Sequence, residues 1–137
     1  MAAQVTGGCA CGAVRYESSA DPVMAVNCYC RDCQRSTGGG YAPVLLVPKP
    51  AFKLTKGELK HHEVTGDSGN KVSRGFCANC GSSILTILEG MPTMLGIKAG
   101  SLDDTSQFKP TANIFTSSAP AWSPPMAGLT KFARGPG

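Results

Sequence analysis

Seven cysteines fall into three short groups: Cys9 and Cys11 as C-x-C, Cys28, Cys30 and Cys33 as C-x-C-x-x-C, and Cys77 and Cys80 as C-x-x-C. On a strand, side chains at i and i+2 leave the same face, so a C-x-C can aim both sulfurs at one metal ion. A C-x-x-C curls the backbone around a metal, and Gly81, directly after Cys80, tolerates the positive φ such a knuckle needs. These spacings therefore demand that three distant stretches of chain converge.

Two chemistries could use these thiols. The N-terminus, MAAQVTGGCACGAVRYE, shows no basic segment followed by an apolar one, and no apolar run approaches the roughly 18 residues of a membrane span. A soluble, cytoplasmic protein is the expectation. Disulfides are disfavoured in that reducing compartment, and an odd number of cysteines cannot all pair, so the groups read as metal ligands.

The partition of the groups bears on chemistry. If no group is split, Cys9 and Cys11 with Cys77 and Cys80 give four sulfurs, the number tetrahedral zinc takes. Cys28, Cys30 and Cys33 then form a three-ligand site with one open position, the mark of catalytic zinc. A rival partition joins Cys30 and Cys33 to Cys77 and Cys80 as an ordinary four-cysteine ribbon. Iron would accept the same thiolates, although zinc is the more frequent occupant of paired knuckles.

The 137 residues suffice for one domain with a single core. Segments of strand composition recur between turn residues at 13–17, 23–28, 41–47, 52–55, 59–64, 71–76, 83–88, 93–99 and 113–118. Their density, with 17 Gly and 10 Pro, predicts an all-β domain with little helix. The best helical candidate is RDCQRSTG, which Gly38 would end as a C-terminal cap. TGDSGN (65–70) suits a tight turn between strands. The ordered core is expected over about residues 5–122, with a Pro/Gly-rich tail from 123 to 137 running extended over the surface.

The formal charge of +4 counts every cysteine as neutral. Seven thiolates around two zinc ions would bring it to about +1, so the charge gives no argument for nucleic acid, and no basic run supplies one. His61 and His62 are adjacent on a predicted strand and face opposite ways, so both cannot reach one site. Asp103 and Asp104 read as a turn.

Taken together, GGCACGAVRYE (7–17), NCYCRDCQRSTGGGYAPVLLVP (27–48), SRGFCANCGSSI (73–84), IKAGSLDD (97–104) and NIFTSSAPAW (113–122) resemble the glutathione-dependent formaldehyde-activating enzymes, a family sharing its domain with centromere protein V. The resemblance covers most of the chain in order. It implies a β-tent fold of short antiparallel sheets pinned by two zinc ions. It implies a closed structural site at Cys9, Cys11, Cys77 and Cys80 and an open catalytic one at Cys28, Cys30 and Cys33.

The activity implied is that of a carbon–sulfur lyase, S-(hydroxymethyl)glutathione synthase, which combines formaldehyde with glutathione. The implied partners are a small thiol and an aldehyde, with neither nucleic acid nor membrane. Tyr29 stands where members often carry His, and is read as a residue that shapes the pocket. Trp122 lies in a segment that borders the open zinc in the family. For the carboxylates of a glutathione-like substrate, Arg31, Arg35, Arg74 and Lys98 are the cations close to metal or motif segments. The competing class is a zinc-stabilised binding module without catalysis, which would carry a basic, aromatic-studded surface.

Overall fold

β-branched and aromatic residues between Gly, Pro and Asn breaks build eleven strands in the computed structural model, which describes residues 4–66 and 68–135. In chain order these are β1 (Val5–Gly8), β2 (Arg15–Ser18), β3 (Met24–Cys28), β4 (Ala42–Pro48), β5 (Phe52–Lys56), β6 (Lys60–Thr65), β7 (Lys71–Phe76), β8 (Ser83–Leu88), β9 (Met94–Lys98), β10 (Ala112–Ile114) and β11 (Thr130–Lys131). One α-helix, α1 (Arg31–Thr37), follows β3. The all-β reading holds, and α1 falls on the expected RDCQRSTG segment. Gly38 ends it in the left-handed conformation (φ 74°), its N–H donating to the Gln34 carbonyl at 2.8 Å.

The strands form two sheets. A three-stranded sheet has the order β1-β2-β5, and an eight-stranded sheet the order β11-β10-β3-β4-β9-β8-β7-β6. Pairing is antiparallel except that β10 lies parallel to both β3 and β11. Those parallel pairs arise because the chain leaves β9 in the middle of the large sheet and returns at its edge, where the Thr111 N–H meets the Ala25 carbonyl at 3.0 Å.

β4 is a central strand buried on both faces, which accounts for its nearly continuous apolar run VLLV. Leu45 and Val47 enter one core with Val5, Tyr16, Ile84 and Ile97, between the two sheets. Val44 and Leu46 point the other way and join Val26, Cys28, Cys33 and Ala112. The alternation of β4 thus separates a structural face from the face that carries the cysteine cluster.

Two stretches differ from the sequence reading. The strand expected at 113–118 ends at Ile114: Phe115 turns left-handed (φ 54°, ψ 39°) and Thr116–Ser118 form a 3-10 turn. The end of the chain imposes this change, because the Phe115 and Thr116 N–H groups donate to the carbonyls of Arg134 and Phe132 at 2.9 and 3.1 Å. For the same reason the tail does not simply run over the surface. Thr130–Lys131 pair with β10, and Phe132 packs on the second core. The turn at 65–70 joins β6 to β7, with the Gly66 N–H bonded to the Asn70 carbonyl at 2.8 Å; its Asp67 lies outside the described residues, as do residues 1–3 and 136–137.

Candidate metal centres and active site

Cys9 and Cys11 sit in the loop after β1, and Cys77 and Cys80 in the turn between β7 and β8. Their four sulfurs lie within 4.8 Å of one another. The Cys9–Cys11 and Cys11–Cys77 sulfur separations are 3.6 and 3.8 Å. A tetrahedron of sulfurs about 2.3 Å from a central zinc has edges of about 3.8 Å, whereas a disulfide would bring two sulfurs to about 2 Å. The spacing fits a metal, and all seven cysteines are free thiols.

The surrounding chain favours thiolates at this cluster. The Val14 N–H and Asn79 Nδ2 donate to Cys9 and Cys11 Sγ, each at 3.2 Å. Hydrogen bonds from the Ser82 side chain and backbone hold the Cys80 thiol down to about 5. Gly81 has φ 80° and donates to the Cys77 carbonyl at 2.8 Å, closing the knuckle as expected. This cluster clips the small sheet to the large one.

Cys28, Cys30 and Cys33 form a second group whose sulfurs also lie within 4.8 Å of one another. Cys28 ends β3, Cys30 is the N-cap of α1, and Cys33 lies one turn into the helix. The Cys30 Sγ accepts the Cys33 N–H at 3.2 Å, as a serine hydroxyl would at an N-cap. Hydrogen bonds from Cys28 and Cys30, then the charges of Lys98 and Arg74, hold Cys33 down to about 2. Contacts with Cys30 and Cys33 push Cys28 far up. A lone cluster therefore ionises readily once, and like-charge repulsion opposes further ionisation. A divalent cation relieves that repulsion, so the donor set fits a zinc ion with three protein ligands.

Cys9 of the four-cysteine group borders a cavity of about 520 Å³ together with Arg15, Ser82 and Asp103, whereas the three-cysteine group lines a different one, of about 480 Å³. Strand periodicity builds its floor. Met24, Val26 and Cys28 on β3, Val44 and Leu46 on β4, Lys98 on β9, Thr86 and Leu88 on β8, and Val72 and Arg74 on β7 all line it. Each set is spaced by two, so every strand contributes alternate residues of the same sheet face. Register aligns them in rows: Val26, Val44 and Lys98 stand side by side, as do Met24, Leu46, Gly96, Thr86 and Arg74.

Lys98 is 4% exposed, and no carboxylate pairs with it among the described residues. Burial pushes its ammonium below the usual lysine value, against the opposing pull of Cys33. Arg74 Nη2 donates to Cys33 Sγ at 3.6 Å, while its Nε is buried without a hydrogen-bond partner, as is Thr86 Oγ1. Two cations thus face the thiols from the sheet floor, with Thr86 beside Arg74 in the same row.

The structure sorts the remaining candidates. Arg31 lines the cavity and donates to Gln34 Oε1. Arg35, on the last turn of α1, is exposed and away from it. Tyr29 is buried outside the cavity lining: its hydroxyl accepts the Met126 N–H at 3.2 Å, and its ring lies 5.1 Å from that of Tyr41. Trp122 is 72% exposed and outside the lining, near Gly40. His61 and His62 are exposed on β6, and Asp103 binds Arg15 and Thr6 while Asp104 caps a 3-10 turn.

Sequence reasoning missed the apolar wall. Met24, Leu88 and Met91 lie outside every motif, Phe115 stands in the NIFTSSAPAW segment without any signal of its own, and only the alternation of their strands could have placed the first two on one face with Cys28.

Residues 4–118 match the model of the family described as glutathione-dependent formaldehyde-activating enzyme. A crystal structure of a protein from Rhodobacter sphaeroides superposes with a TM-score of 0.57 at 24% sequence identity, covering 72% of this chain and 87% of that one. At that identity the likeness speaks for the fold.

Proposed function

The chain belongs to the glutathione-dependent formaldehyde-activating enzyme family, and on that premise we propose that it is a zinc-dependent carbon–sulfur lyase that joins or splits a thiol and an aldehyde. The observation carrying this reading is the three-cysteine group in a cavity wall, with Lys98 and Arg74 opposite it. Cys28, Cys30 and Cys33 hold zinc in the cavity, and Cys9, Cys11, Cys77 and Cys80 hold a second zinc that is structural. Bound at the open site, zinc supplies the positive charge that keeps a substrate thiol ionised at neutral pH.

In the joining direction the thiolate sulfur attacks the aldehyde carbon. A carbon–sulfur bond forms, the carbonyl π electrons move to oxygen, and that oxygen takes up one proton, balancing the one the thiol released on ionising, to give a hemithioacetal. Lys98 and Arg74 lower the energy of the developing oxyanion. The apolar wall keeps water from these charges. Glutathione and formaldehyde are the pair for which the family is named.

The test is the rate of hemithioacetal formation, followed by proton exchange spectroscopy on zinc-loaded protein and on Cys30→Ser. Acceleration over the spontaneous reaction that Cys30→Ser abolishes supports the reading. Equal rates with and without protein refute it.

A further inference from the structure

We propose that the thiol this cavity accepts has an uncharged, apolar body, so that its sulfur is the one anionic atom it brings to the site. This inference rests on the thiol–aldehyde reading above and names its substrate class. It follows from the charge inventory and from the walls.

Three thiolates around a divalent cation leave one negative charge, and an incoming thiolate makes it two. Lys98 and Arg74 supply two positive charges, so one anionic sulfur brings the cluster to neutrality. Both cations are committed by position: Arg74 reaches Cys33 Sγ, and Lys98 is 4% exposed with Cys33, Cys28 and Cys30 as its negative neighbours. The other charged residues lining the cavity are Arg31 and Asp32, adjacent in sequence and opposite in charge, so together they leave the balance unchanged. Glutathione carries two carboxylates besides its thiol. Each would need a cation or several N–H donors when taken out of water, and Asp32 would repel them.

The walls supply the other half of the argument. Met24, Val26, Leu46, Leu88, Met91 and Phe115 surround the space beyond the thiols. Gly96 stands in the row between Leu46 and Thr86, and Val44 Cγ1 fills the place its Cβ would take, 2.6 Å away, so the floor at that point is the apolar surface of Val44. Phe115 reaches the wall from a left-handed backbone that a residue with a Cβ adopts at a cost, and strain of this kind collects at ligand sites. At about 480 Å³ the space falls within the range of small-molecule sites.

The experiment titrates zinc-loaded protein calorimetrically with ethanethiol, propanethiol, butanethiol, pentanethiol and glutathione, with metal content checked after each run. Burial in an apolar wall raises affinity about fourfold per methylene, or roughly sixtyfold from ethanethiol to pentanethiol. Glutathione is expected to bind no more tightly than ethanethiol. Met24→Gln and Leu88→Gln, both at half-buried positions, should each flatten the series. A flat wild-type series, or glutathione binding more tightly than pentanethiol, overturns this inference and leaves the lyase reading standing. A steep series on a protein that never accelerates hemithioacetal formation supports this inference and overturns the lyase reading alone.

Discussion

Replacing Cys77 by Ser should cost this protein its fold, whereas Cys30→Ser should cost it one metal ion and little else. Cys77 is 2% exposed and belongs to the four-sulfur cluster that joins the β7–β8 turn to the loop after β1, 66 residues away at Cys11. A structural zinc site contributes about 10–16 kcal/mol of binding free energy that is also folding free energy. A chain of 137 residues has a net stability of about 7–20 kcal/mol. The two quantities are of the same size, so losing the closed site removes most of the margin. Cys28, Cys30 and Cys33 lie within six positions, and the metal there closes no long loop. Serine is also a good N-cap, so the hydrogen bond to the residue-33 N–H survives in Cys30→Ser. Zinc per chain by plasma emission spectroscopy, with thermal melts by circular dichroism, reads both outcomes. Wild type should hold two equivalents. Cys30→Ser should hold one and melt within a few degrees of wild type, and Cys77→Ser should show no cooperative melt. A Cys77→Ser protein that keeps two equivalents, or a Cys30→Ser protein that unfolds while Cys77→Ser does not, refutes the division into closed and open sites.

Two glycines should respond to alanine for different reasons. Gly38 has open space around it and a φ of 74°, so Gly38→Ala should lose about 1 kcal/mol through backbone strain, whereas a Cβ on Gly7 would sit 2.3 Å from the Ser101 carbonyl oxygen and should cost about 1–3 kcal/mol or more. Urea denaturation measures both, and equal small losses would contradict the close approach of β1 to the Ala99–Ser101 turn. Burial pushes the Tyr16 hydroxyl up to about 12, with the Ser101 hydroxyl 2.6 Å away. A raised folded value means that this contribution is whole below pH 10 and lost as pH rises through 12, a decline of about 2–3 kcal/mol. Tyr16→Phe should show a shallower decline of stability between pH 10 and 12, and parallel curves would refute the assignment. Asn113 is wholly buried, accepting from Asn27 Nδ2 at 3.1 Å and donating to the Met126 carbonyl at 2.8 Å. Asn113→Leu should cost about 2–3 kcal/mol and speed amide exchange over residues 123–131, and unchanged exchange there would show that the tail is held by other contacts.

Local patterns were enough to read the all-β character and the two glycine turns at Gly38 and Gly81, because each rests on local geometry. A C-x-x-C curls on its own knuckle, and the β-branched and aliphatic run at 41–47, bounded by Gly and Pro, favours a strand, although its central position in the sheet is a property of the tertiary fold. The sequence also placed strands at 71–76 and 83–88 where the structure has them. It did not reveal β1, whose Gly7 and Gly8 carry no strand signal, or β11, which exists because β10 offers an unpaired edge.

Tertiary structure decided which charged and apolar residues meet the thiols. Lys98 and Arg74 stood among four candidate cations, and only the pairing of β9 with β4 and of β7 with β8 turned them toward Cys33 while leaving Arg35 in solvent. Tyr29 and Trp122, both within motif segments, went elsewhere: Tyr29 follows the last residue of β3 and the tail captures its hydroxyl, while Trp122 is 72% exposed. Strand periodicity fixes that side chains at i and i+2 share a face. Which face closes over a metal site is set by register between strands distant in sequence, a long-range property that no local pattern encodes.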